Sequence, residues 1–154
     1  MQVLLSFIIS LLGLLSIKKE LIDITWVEKL TGDYSFAKQR SIDCDAWCYE
    51  WAGANTIIAT AGQKDTIHCY TLMNTATHCS LHLTLTNNSC LPTIVLKSIR
   101  FQGDKTYQCK EGFIKIDRPL WKRKILKAEF DFIFNNDENE KKIFWKGKIY
   151  TKIK

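Results

Sequence analysis

Only two prolines, Pro92 and Pro119, and seven glycines occur in the 154 residues, and neither type clusters. That sparsity excludes a collagen-like repeat and leaves no Pro- or Gly-rich linker to divide the chain. No internal repeat supports a solenoid. Three histidines are present without a G-x-S-x-G elbow or a Cys-His signature, and no Walker A loop, G-x-G-x-x-G turn or nucleic-acid module is found. The hydrolytic and nucleotide-binding chemistries that depend on those patterns therefore lack their sequence basis.

Charge is absent from residues 1–17, MQVLLSFIISLLGLLSI. The apolar run is too short to span a bilayer untilted, which predicts an N-terminal hydrophobic signal helix and export to the periplasm, cell surface or extracellular space. Lys18 and Lys19 follow the run instead of preceding it, and Gly13 and Ser16 form no A-x-A site, so a buried first helix or an uncleaved anchor stays open. Residues 18–154 then form a single β domain, long enough to bury its own core.

All six cysteines, Cys44, Cys48, Cys69, Cys79, Cys90 and Cys109, lie beyond that segment. An even set in an exported chain predicts disulfides, with 15 possible connectivities for six cysteines. Cys90 with Cys109 would tie two neighbouring predicted strands. Zinc is the competing use, since Cys44 and Cys48 could combine with His68, Cys69, His78 or Cys79. No paired C-x2-C knuckles occur, and adjacent His-Cys pairs on a strand point to opposite faces. The expectation is no metal and no cofactor.

Hydrophobic residues make up 46% of the chain and aromatic ones 12%, enough burial to offset chain entropy and fold. Beyond residue 20 the hydrophobic period is two, as in strands joined by turns. Candidate strands are 23–27, 34–38, 47–51, 56–61, 66–72, 80–86, 93–101, 105–110, 112–116, 128–134 and 142–153. Leu81, Leu83 and Leu85 alternate with His82, Thr84 and Thr86, and Phe130, Phe132 and Phe134 repeat the pattern. Asn87, Asn88 and Ser89 read as a turn and also meet the N-glycosylation sequon. Pro119 opens one helical turn before Lys122, Arg123 and Lys124. The fold class is mainly β, an antiparallel β-sandwich, with a small β-barrel as the alternative.

The most distinctive segment is Asp43-Cys-Asp-Ala-Trp-Cys-Tyr-Glu-Trp-Ala-Gly. If extended, it places Trp47, Tyr49 and Trp51 on one face. Those rings either fill the core beneath a disulfide, the commoner use of large rings, or form a platform for a sugar, with Asp45 and Glu50 accepting hydrogen bonds. A hydrolase built on residues 43–51 is the enzymatic alternative, though carboxyl separation is a property of the fold. Residues 97–154 hold sixteen basic and eight acidic side chains, against six and eight in 18–96. A basic surface for an anionic polymer would require Lys122, Arg123, Lys124, Lys146 and Lys148 to converge, whereas alternation alone makes them solvent-facing strand residues. The acidic, amide-rich stretch 135–140 lacks calcium-loop spacing and reads as a hairpin loop.

Tyr49-Glu-Trp-Ala-Gly, Lys127-Ala-Glu-Phe-Asp-Phe and Phe144-Trp-Lys-Gly-Lys-Ile-Tyr resemble stretches of uncharacterised exported proteins of Bacteroidetes bacteria. The resemblance implies an envelope or secreted location and carries no catalytic or binding residue. The expected role is a binding or interaction module, rather than an enzyme, whose partner is a glycan, a peptide or another envelope protein.

Overall fold

Period-two alternation becomes ten strands in a computed structural model that describes residues 20–73, 77–97, 103–136 and 141–154. The expected signal segment 1–17 lies outside the described residues. The strands are β1 (Ile22–Val27), β2 (Ile42–Trp47), β3 (Trp51–Ala52), β4 (Ile57–Ala61), β5 (Ile67–Thr71), β6 (Cys79–Leu85), β7 (Ser89–Lys97), β8 (Asp104–Asp117), β9 (Ile125–Phe134) and β10 (Ile143–Lys152). One short helix, α1 (Arg118–Lys122), joins β8 to β9. Among the described residues no helix is long and apolar enough to cross a membrane.

Hydrogen bonding links all ten strands in the order β3-β2-β10-β9-β8-β1-β7-β6-β5-β4, as one sheet curled into a half-barrel. The mainly β class holds, but the two-sheet sandwich is not confirmed, because β8 carries pairing from one half of the sheet to the other. Its first residues pair with β7, and its later ones pair with β9 and, in parallel, with β1. A bulge between Cys109 and Glu111 bends the strand there. That bulge is why the sequence pattern breaks at 111 and reads as two strands. The curl brings edge strand β4 to the chain's last residues, where Ala61 N–H donates to the Lys154 carbonyl at 2.8 Å and Lys154 N–H to that of Ala59 at 3.0 Å.

The inner face follows the alternation. Leu81, Leu83 and Leu85 of β6 and Phe130, Phe132 and Phe134 of β9 are buried, as is Trp145 of β10. Removing each phenylalanine from water contributes roughly 2–3 kcal/mol. The hairpin expected from 128–134 and 142–153 forms in register, with Trp145 opposite Phe132. Asp117, itself buried, caps α1 by accepting from Leu120 N–H, and it also accepts from Leu30 N–H, each at 3.1 Å.

Residues 34–38, expected as a strand, form a 3-10 turn instead, Ser35–Lys38, with only Phe36 buried. Asp33 accepts from Ser35 N–H at 2.8 Å and starts the turn. Tyr34 packs beside Tyr150 under the ammonium groups of Lys127 and Lys148, 4.5 and 5.4 Å from its ring centre. Burial, with smaller contributions from Glu129 and Asp117, pushes its phenol up to about 12. A raised acid pKa means the folded state holds its proton longer than the unfolded one. Stability from this group is therefore present below about pH 10 and falls as pH rises from 10 through 12. A phenolate titration at 295 nm should lose a step near pH 12 in Tyr34→Phe, and an unchanged titration there would refute the assignment.

Candidate functional site

β2 does not continue through the aromatic segment. It stops at Trp47, the chain turns through Cys48, Tyr49 and Glu50, and β3 returns with Trp51. Tyr49 sits in the left-handed region at φ 60, and Cys48 N–H donates to the Glu50 carbonyl at 3.0 Å. The extended strand expected for 47–51 is thus a tight hairpin. Trp47 and Trp51 nevertheless share a face, because they are directly opposed cross-strand partners.

The five sequence-predicted site residues separate into different jobs. Trp51 is 67% exposed and Trp47 half-buried. Lys141 Nζ lies over both rings, 4.4 Å from the centre of Trp47 and 4.6 Å from that of Trp51. Tyr49 leans inward between Trp47 and Tyr107, 5.7 Å from each, and its hydroxyl donates to Asn136 Oδ1 at 2.7 Å. It supports the platform and does not extend it. Glu50 accepts from His78 N–H at 2.6 Å and lies 3.3 Å from His78 Nδ1, fastening the hairpin to the start of β6. Asp45 pairs with Lys146 at 3.7 Å on the outer face. Sequence reasoning missed Lys141, whose place beside the tryptophans follows from the pairing of Phe144 with Trp47.

The outer face also places the residues of the charge-based alternatives. Lys146 stands between Asp45 and Asp131, and Lys148 between Asp43 and Glu129, along an open groove that also includes Phe113. Each lysine is flanked by two carboxylates, so neither adds to a basic patch. Ile153 bonds the Lys124 carbonyl, and Lys146 lies seven residues back along the strand, roughly 23 Å away. The five basic residues do not converge. Asp43 is held by Arg40 at 2.8 Å and Asp45 by Lys146 at 3.7 Å, two exposed ion pairs beside the open groove.

The six cysteines are all thiols, five buried and Cys44 half-buried. The expected disulfide framework is not formed. Cys90 and Cys109 are not bonded and are not paired across the sheet, because the β7–β8 ladder ends at Thr93 and Gln108 and Cys90 is opposite Ile22 of β1. Burial pushes Cys69 and Cys109 up to about 12 and Cys90 and Cys44 upward as well. Cys79 is raised by its hydrogen bond to the Cys48 thiol and then by burial. Protonated, enclosed thiols are poor nucleophiles. Among the described residues no group of three or more His, Cys, Asp or Glu is placed to hold a metal ion. His68 faces Thr84 on the outer side while Cys69 points inward, as strand alternation requires.

No family model, no curated protein and no solved structure matches the chain.

Proposed function

We propose that this chain is an exported binding module of the cell envelope or extracellular space and that it takes a carbohydrate on the Trp47–Trp51 face. The observation that carries the reading is Trp51, a large ring left 67% exposed on a two-residue edge strand with its partner Trp47 alongside. A soluble domain gains by covering such a ring, and two adjacent indoles offer flat apolar faces to the C–H side of a pyranose. Lys141 lies over both rings and supplies a polar group that orients a ligand. Export is supported by the uncharged leader and by the resemblance to exported Bacteroidetes proteins. A peptide or another envelope protein on the same face is the second outcome to test.

The test is calorimetric titration of β-linked gluco-oligosaccharides into the wild-type protein and Trp51→Ala. Wild type should bind, and the variant should bind at least tenfold more weakly, a loss of about 1.4 kcal/mol. The melting temperature should stay within a few degrees, because the exposed ring contributes little to the core. Equal binding by the two proteins would move the site elsewhere, and no binding by wild type would sink the carbohydrate reading.

A further inference from the structure

We infer that Cys48 and Cys79 are the pair of cysteines that oxidises, forming one disulfide between the tip of the β2–β3 hairpin and the first residue of β6. Cys79 Sγ lies 3.3 Å from the Cys48 carbonyl oxygen, and the two thiols are hydrogen-bonded to one another. Both side chains are fully enclosed, at 0 and 1% exposure. The approach does not depend on the sulfurs alone. Glu50, two residues after Cys48, grips the backbone and ring of His78, the residue before Cys79, so a second tie holds the same two segments together. The left-handed turn at Tyr49 sets the Cys48 side chain inward toward β6.

The other four cysteines are kept apart. Cys69 on β5 is opposite Leu83, and Leu83 is opposite Pro92, so Cys69 and Cys90 belong to strands two apart, at least about 9 Å between Cα atoms. Cys90 faces Ile22 of β1 across the sheet, not Cys109. Cys44 directs its thiol to the Ala54 carbonyl at 3.6 Å and lies beside the Trp145 indole. A disulfide needs Cα atoms within about 7 Å, which Cys69 and Cys90 exceed, and the Cys44 thiol is engaged elsewhere.

The oxidant is a disulfide, either a small molecule such as glutathione disulfide or the active-site disulfide of an oxidoreductase. A thiolate of the pair attacks one sulfur of that disulfide and expels the first thiolate, forming a mixed disulfide. The second cysteine then attacks the sulfur of the first, and the second thiol leaves. Two electrons pass to the oxidant, and the two thiol protons end on its two sulfurs. Because both cysteines are enclosed once the hairpin has docked, exchange takes place while the chain folds. The resulting 31-residue link fastens the hairpin that carries Trp47 and Trp51.

The test is peptide mapping of the full chain refolded in glutathione disulfide, with free thiols alkylated after denaturation and without reduction. The expected result is a single linked species joining the Cys48 and Cys79 peptides, two hydrogens lighter than the reduced pair, with Cys44, Cys69, Cys90 and Cys109 all alkylated. Alkylation of Cys48 and Cys79, or either one linked elsewhere, overturns the inference. A reductant should lower the wild-type melting temperature by about 10 °C and leave a Cys48→Ala/Cys79→Ala protein unmoved. An equal response from the two proteins also overturns it. The readout is sulfur chemistry, so it stands or falls independently of the carbohydrate.

Discussion

Replacing Gly147 with alanine is expected to cost more than about 4 kcal/mol, a large part of the 5–15 kcal/mol that holds a domain together. Gly147 lies opposite Cys44 on one side and Phe130 on the other. A Cβ there would sit 2.2 Å from the Asp43 carbonyl oxygen and 2.8 Å from Cys44 Cα. Those are backbone atoms of β2, and moving them disturbs a six-pair register that also sets the Trp47 hairpin. Gly112 repeats the device across β9, with φ +150 and its Cβ position 2.2 Å from the Asp131 carbonyl oxygen. The two glycines flank Phe130 and Phe132 and let adjacent strands approach where the sheet curls. Urea denaturation gives the measurement, with Gly53→Ala as control because nothing lies within 4 Å of its Cβ position. The control should stay within about 0.5 kcal/mol of wild type. A Gly147→Ala protein with an unchanged midpoint would mean that β2 and β10 are not this close.

Much of the fold was legible because one-sided burial writes itself into strands with period two. Leu81, Leu83 and Leu85 point inward as their spacing predicted, and the hairpin of β9 and β10 pairs in register. What could not be read was how strands join. The aromatic segment 47–51 keeps strand-like alternation while its backbone turns at Tyr49, since a left-handed tyrosine leaves no compositional mark comparable to Asn-Gly. Strand 34–38 failed because Tyr34 and Phe36 satisfy alternation equally well as two rings of a short turn. The site was half legible. Trp47 and Trp51 come together, but through cross-strand pairing and not through a shared strand. Asp45 and Glu50 were drawn away by Lys146 and His78, long-range partners that no local pattern reveals.

Trp145→Ala is the other change expected to be severe, at about 3–5 kcal/mol, and a comparison with Trp145→Phe shows what the indole contributes. Trp145 is fully buried, and it sits between Phe132 of β9 and the small Ala46 of β2, which leaves the space that the indole fills. Alanine empties that space in the middle of the curled sheet, where neither neighbouring strand can collapse without breaking its ladder. The phenylalanine variant keeps a ring and deletes the indole N–H. That N–H has no hydrogen-bonding oxygen or nitrogen among the described residues, only the Cys44 sulfur beside it. An unsatisfied buried donor costs about 1–3 kcal/mol, so its removal offsets much of the lost ring volume. Trp145→Phe should therefore fall below wild type by less than about 2 kcal/mol in urea denaturation. If phenylalanine proves as damaging as alanine, the N–H is satisfied and the Cys44 contact is a true hydrogen bond. If alanine proves as mild as phenylalanine, the half-barrel is not packed around this side chain, and the stability of the rim that carries Trp51 must come from the hairpin's ties to His78 and Cys79.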